Sequence, residues 1–427
     1  MEGFRSYPLE CEFGTHSKEC IHAADYIIKN PAIPKHAPII TYAKTEKKCI
    51  LSDISLYLDW NADTHAPSAV ITITGTKGKS SISHAIHSLL SRGKNIEADS
   101  HFTVRSYLAG NIRRSVLTLI EQNIRPKYLV CELSAQQIGD LRIVNDLSIN
   151  TIECQIFTNF MRDHLNYYSN MKEYFLDKSY LFRKSAGYRN IIIPNDKWGR
   201  RLALHYKAEQ CYWHSATPLD SSQLGSWFED GVLLYRSRIG ATATALRCFS
   251  NVPYSYYIQN VLILMAFCLA HNEDMPRDRE TWEKLLTLEH RKERVANNLK
   301  RVFINDSAAT IPQAMNIAAL APHSVHLICG GTDKELLPQD LLVQCKKAEH
   351  CYLLEGTFTS LLLPLLRKER ISYSGPYNSL QHAVEEAYTQ SYDGDIIILS
   401  PGCASFGMFK HEFDRGEQFK NIVQSLG

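Results

Sequence analysis

Between Thr74 and Ser81 the chain reads Thr-Gly-Thr-Lys-Gly-Lys-Ser-Ser. An apolar run over residues 70–73 precedes this stretch, and a helix-like run over 82–90 follows it. A strand, a glycine turn and a helix N-terminus in that order gather backbone N–H groups around an anion, and the helix dipole favours negative charge there. The chemistry this suits is phosphate binding. Gly75, Thr76, Lys77, Gly78, Lys79, Ser80 and Ser81 are expected to cradle a phosphate chain, with Lys79 reaching the β- and γ-phosphates and Ser80 holding Mg²⁺. The spacing departs from the usual phosphate-loop pattern, because Ile73 stands where that pattern has its first glycine. The plainer alternative is an ordinary glycine turn flanked by two solvated lysines.

Two further places could hold metal or move charge. Glu132 closes an apolar run over 128–131, and a carboxylate at the C-terminal end of a strand in an α/β sheet points into the ligand crevice. An oxygen ligand of this kind suits a hard cation such as Mg²⁺. Downstream, Met171, Tyr174, Phe175, Leu181 and Phe182 fall at spacings that describe one helical face, and Lys178 falls on that face where an apolar residue is expected. A buried lysine loses its proton more readily. The neutral amine can react with CO₂ to give a carbamate, an anionic oxygen ligand. Alternatively, Lys178 lies at the edge of the face and snorkels to water.

In this order and context the motifs resemble those of the Mur ligases and folylpolyglutamate synthetases, over residues 66–427. The chain is identified as a member of the Mur ligase family, most similar to its D-glutamate-adding branch. The resemblance implies that Glu132, His164 and a carbamylated Lys178 hold metal with Ser80, and that Ser134, Gln137 and Asn111 face the substrate. Asn260 matches an asparagine that contacts adenine, although Tyr256 and Tyr257 stand where the family has His-Asn. Arg291, from a His290-Arg291 pair, would reach the γ-phosphate, a role its permanent charge and forked donors suit. Asp306 would bind ribose, and Thr310 would lie near the amino-acid substrate. Ala308 replaces a family lysine. Lys334 and Ser405 would grip the incoming amino acid, and the terminal Phe413-Asp414-Arg415-Gly416 fits the same branch. The implied reaction is ATP-dependent amide-bond formation between UDP-muramoyl-L-alanine and D-glutamate through an acyl phosphate. Another Mur-family ligase, such as a folylpolyglutamate synthetase, and a catalytically weakened ATP-binding scaffold are the alternatives.

The elements that must position these residues follow an α/β plan. The expected architecture is a central mostly parallel sheet domain of the phosphate-loop type (66–289), a C-terminal Rossmann-like domain (290–427) and a truncated N-terminal Rossmann-like segment (1–65). Strands are expected at 70–73, 128–131, 152–157 and 190–193, and later at 302–304, 326–329, 351–354 and 395–399. The first segment holds a strand candidate at 26–28 and an apolar stretch at 54–58. The three prolines from Pro31 to Pro38 argue against regular structure between them. No Gly-x-Gly turn precedes residue 75, so either the start lies upstream or the UDP pocket is reduced, and a half domain would expose a sheet edge.

With 427 residues, several domains are expected. The 47 basic and 45 acidic residues give a net charge of +2, which leaves no electrostatic footprint for nucleic acid. No run is long and apolar enough to span a membrane, and no signal peptide is seen. The 12 cysteines form no C-x-x-C pair, and Cys131, Cys268 and Cys329 sit in apolar runs. The expectation is a cytoplasmic, monomeric enzyme in a reducing compartment.

Overall fold

The computed structural model describes residues 17–92, 101–112, 114–144, 147–163, 167–184, 189–238, 242–246, 256–315, 317–333 and 336–426. His164 and Lys334 lie outside the described residues. The chain divides into two compact units, Met1–Leu286 and Thr287–Gly427.

After the helix Lys18–Ala23, the first unit has a two-stranded parallel sheet of β1 (Tyr26–Ile28) and β2 (Cys49–Leu51). Tyr26 and Ile28 of β1 are more than half exposed, at 59% and 53%. Between the prolines, residues 31–37 form turns and irregular backbone, as expected. Pro38 itself opens the helix Pro38–Thr45, because the first turn of a helix has no use for the N–H that proline lacks. The apolar stretch at 54–58 is helical. It belongs to the helix Asp53–Ala62, started by a capping box in which Ser52 and Ser55 bond each other's backbone N–H groups.

The main sheet of this unit contains β3 (Ala69–Thr74), β4 (Val104–Gly110), β5 (Pro126–Glu132), β6 (Ile152–Phe157), β7 (Asn190–Pro194), β8 (Cys211–Ser215), β9 (Leu224–Glu229), β10 (Val232–Arg236) and β11 (Thr242–Leu246). Their order is β11-β10-β9-β8-β7-β6-β3-β5-β4. All pairings from β4 to β9 are parallel, and the last two, β9 with β10 and β10 with β11, are antiparallel.

Side chains alternate across this sheet, and both faces are covered, which explains the nearly unbroken apolar runs. Ile71, Ile73, Ile156 and Ile192 pack against the helices Lys79–Ser91, Tyr256–His271 and Arg279–Leu286. On the other face, Val70 and Leu129 meet the helices Asp53–Ala62 and Ala135–Asp140. Phe157, Ile191 and Ile193 meet Met171–Lys178 and Tyr180–Lys184 on that same face. The single helical face expected across 171–182 is thus carried by two short helices that break at Ser179.

The chain leaves β3 for β4 on one side and, after β5, crosses to β6 on the other. The sheet therefore has its topological switch point at β3, where ligands bind beyond the strand C-termini.

The second unit is a six-stranded sheet of β12 (Glu293–Val295), β13 (Val302–Asn305), β14 (Val325–Cys329), β15 (His350–Leu354), β16 (Tyr373–Tyr377) and β17 (Ile396–Leu399), ordered β12-β13-β17-β14-β15-β16. Only β12 pairs antiparallel. Helices cover both faces, giving two cores around Leu327 and Ile398 and around Ile328 and Ile397. Among the described residues of the chain, no helix is long and apolar enough to cross a membrane.

Candidate functional site

The glycine loop sits at the C-terminal end of β3, and its two glycines are there for space and backbone angle. Gly75 has φ +145°, and a Cβ on it would run into the Thr158 hydroxyl. Gly78 is the left-handed N-cap of the helix Lys79–Ser91, with φ +83°, and a Cβ there would come 2.7 Å from Asn260 Oδ1. The loop is braced from β6. The Lys77 N–H donates to Asn159 Oδ1 at 2.9 Å, and the Thr158 hydroxyl and Asn159 amide donate to the Lys77 carbonyl at 2.6 and 3.1 Å. Gln259 accepts from Asn159 and donates to the Thr158 carbonyl, which ties in the helix that carries Asn260. Thr158, Asn159 and Gln259 were not singled out in the sequence reading. Their signal, short polar residues just past a strand and one place before Asn260, is common in loops.

Two lysines converge on this loop. Lys79 Nζ donates to the carbonyls of Gly75 and Thr76, both at 3.1 Å. Lys178 is 1% exposed, donates to the Gly75 carbonyl at 2.8 Å, and lies over the Tyr174 ring at 4.9 Å. Burial holds its amine well below the usual lysine range, and the charge of Lys79 adds to this, while Asp163 and Glu132 pull the other way. It does not snorkel.

Glu132 is buried at the end of β5. It accepts the Asn111 amide at 3.2 Å and the Ser83 hydroxyl at 3.4 Å. Two neutral donors leave a carboxylate with spare acceptor capacity, which fits a hard cation. Ser80 is in the first turn of the loop helix, half-buried. Ser134 caps the helix Ala135–Asp140, accepting from the Gln137 N–H, while Gln137 Oε1 accepts from the Ser134 N–H. The carbonyl end of Gln137 therefore serves the helix cap. A cleft of about 460 Å³ is lined by Thr76, Lys79, Asn111, Ser134, Asp163 and Lys178, together with Pro31 and Ala32 of the N-terminal segment and Tyr167.

In the second unit, Arg291 is exposed on a tight turn between two left-handed residues, His290 (φ 62°) and Lys292 (φ 50°). Asp306 follows β13 and is buried. It accepts the Ser400 hydroxyl at 2.7 Å and the Lys292 N–H at 3.2 Å, and burial pushes its carboxyl up to about 6. Thr310 is half-buried and Ser405 buried. The Arg-Gly of the terminal motif acts from beneath. Arg415 is fully buried and donates to the Ser307 hydroxyl and carbonyl, both at 2.9 Å, while Asn305 reaches the Gly416 carbonyl and His290. Arg415 thus holds the loop that carries Asp306, a role the sequence reading did not assign.

A phosphate-type glycine loop at the switch point of a parallel sheet, with a buried carboxylate and a buried lysine beside it, defines an α/β nucleotide-binding enzyme of the phosphate-loop class. Comparison with known proteins narrows this. Residues 73–267 match the Mur ligase middle domain. A UDP-N-acetylmuramoylalanine–D-glutamate ligase of Borreliella burgdorferi is 31% identical over 97% of this chain and 86% of its own length. The enzyme of that name from Treponema pallidum is 28% identical over 100% and 90%. The chain belongs to the Mur ligase family. Among solved structures, MurF ligase from Thermotoga maritima in complex with ADP aligns with TM-score 0.56 at 14% identity, over 94% of this chain and 95% of that one. A bifunctional folylpolyglutamate synthase/dihydrofolate synthase from Yersinia pestis, complexed with AMPPNP and Mn ion, aligns with TM-score 0.52 at 17% identity, over 86% and 92%. These share the fold.

Proposed function

We propose that this protein joins D-glutamate to UDP-N-acetylmuramoyl-L-alanine with ATP, as a cytoplasmic monomer acting on small molecules in peptidoglycan synthesis. The reading rests on the family membership and on one feature of the site: a buried lysine, Lys178, pressed against the phosphate loop beside Lys79 and within the field of Glu132. The acid substrate's carboxylate attacks the γ-phosphorus of ATP, giving an acyl phosphate and ADP. The amine of D-glutamate then attacks the acyl carbon, and phosphate leaves with the electron pair.

In this scheme Lys79 and the loop N–H groups of residues 75–81 hold the phosphates, with Asn260 toward the adenine, Arg291 toward the γ-phosphate and Asp306 on the ribose. Ser80, Glu132, His164 and Lys178 would hold Mg²⁺, which when bound offsets the phosphates' negative charge. For that role Lys178 reacts as the neutral amine with CO₂, forming an N–C bond and releasing a proton, so that a cation becomes a carbamate. Asn111, Ser134 and Gln137 would face the acyl substrate, and Thr310, Lys334 and Ser405 the amino acid.

The test is direct. Purified protein with ATP, Mg²⁺, UDP-N-acetylmuramoyl-L-alanine and D-glutamate should release ADP and yield the D-glutamyl product by mass. Lys79→Ala should abolish both while leaving the circular dichroism unchanged. Product formed with another amino acid and none with D-glutamate would reassign the acceptor, and undiminished turnover in Lys79→Ala would remove the loop assignment.

A further inference from the structure

Three cysteines meet inside the second unit, and none of them is among the residues assigned above. Cys329 ends β14, Cys351 is the second residue of β15, and Cys345 ends the helix Pro338–Cys345. All three side chains are 0% exposed and pack among Leu327, Leu341, Leu353 and Phe358. Their sulfur atoms lie within 4.8 Å of one another, and Cys329 Sγ is 4.0 Å from Cys345 Sγ. Burying a cysteine is ordinary, because it behaves as a small hydrophobe. Three sulfurs from three different elements converging on one point is a different arrangement.

We infer that Cys329, Cys345 and Cys351 form a three-sulfur binding site for a soft metal ion of low coordination number, best matched by copper(I). The span fits. A metal held by three thiolates at about 2.3 Å, the usual metal–thiolate distance for small ions, separates the sulfurs by about 4.0 Å in a trigonal plane. One edge already has that length. The donor set excludes hard cations, which require oxygen. It also disfavours zinc, whose structural sites have four ligands, because among the described residues no further His, Cys, Asp or Glu joins the group. Soft thiolates and a small coordination number select copper(I).

Each thiol that binds copper as a thiolate releases its proton to solvent as the Cu–S bond forms. Copper stays in its +1 state, so no oxidant or reductant is consumed. The bound ion would clamp two strands and a helix together directly beneath Gly330 and Gly331, the turn that follows β14.

The test uses the full chain, without oxygen and with a reductant, incubated overnight with copper(I) in competition with a coloured copper(I) chelator. The wild-type chain should withhold one copper per molecule and melt at a higher temperature when loaded. A Cys20→Ser/Cys49→Ser variant, which removes the exposed thiols among the described residues, should behave the same way. Cys345→Ala and Cys351→Ala should each lose both the copper and the melting shift while keeping the apo circular dichroism. Copper retained by Cys345→Ala, or none withheld by the wild type, overturns the site. Zinc(II) held more tightly than copper(I) overturns the assignment of low coordination number. If Cys345→Ala does not fold, Cys351→Ala and Cys329→Ala decide the question.

Discussion

Lys178 is buried away from water beside the charge of Lys79, and both favour its neutral amine, against the Gly75 carbonyl and the Tyr174 ring, which favour the cation. If the amine is carbamylated, the side chain is an anion that supports a metal, and removing it deletes an oxygen ligand. Lys178→Ala should then lose most of its turnover, and acetate or formate, small enough to enter the vacated space, should restore part of it. Activity that acetate leaves unchanged in an otherwise folded variant argues against the carbamate. Asp306 supplies a second test at this scale. Burial raises its carboxyl from 3.8 to about 6. Its contribution to stability is therefore fully present below pH 3.8 and is lost as pH rises through about 6. Nucleotide binding should run the other way, because the ionised form is the stronger acceptor for ribose hydroxyls. The KM for ATP should rise as pH falls below about 6, and Asp306→Asn should remove that dependence. An identical pH profile in the variant would take Asp306 out of the ribose site.

Between elements, one carboxylate joins three walls of the cleft in the first unit. Asp177, 1% exposed on the helix that carries Lys178, accepts Arg142 at 2.5 Å and Lys35 at 2.6 Å. Arg142 is in the turn Leu141–Ile143 after the helix that Ser134 caps, and Lys35 follows the Pro31–Ala32 lining. Beside it, Lys29 and Asp140 form a buried pair at 2.7 Å. Removing one partner of a buried pair is costly, but Arg142 and Lys35 are partly exposed, so Asp177→Asn should cost about 1–3 kcal/mol in unfolding free energy. It should also lower kcat/KM for the UDP substrate more than for ATP, because the walls it joins are not the phosphate loop. Equal losses for both substrates would mean only general loosening. This network was not legible in the sequence. Asp177 sits next to Lys178, yet nothing local reveals that its partners lie at residues 35 and 142. The phosphate loop was legible because its glycines, lysines and serine are contiguous. The antiparallel end of the main sheet could have been found: Asp230-Gly231, with Asp230 at φ 48°, is a hairpin turn signal between β9 and β10.

Across the whole molecule, the two units have separate hydrophobic cores. The cores of the first gather around Ile71, Val70 and Phe157, and those of the second around Leu327 and Ile328. The change of unit near Thr287 leaves little local trace in composition; what marked it was a second succession of strand and helix patterns. A chain built this way need not unfold in one step, because all-or-none behaviour belongs to single cores. Leu362 is fully buried in the second unit, and cutting it to alanine should cost about 2–5 kcal/mol there through lost burial and the cavity left behind. Scanning calorimetry of the ligand-free protein should resolve two transitions, and Leu362→Ala should lower one of them while the other keeps its temperature. The complementary change, Ile86→Ala in the first unit's core, should move the other transition. A single transition that shifts equally with either substitution would show that the two cores melt as one, and stability differences measured anywhere in the chain would then report on the whole.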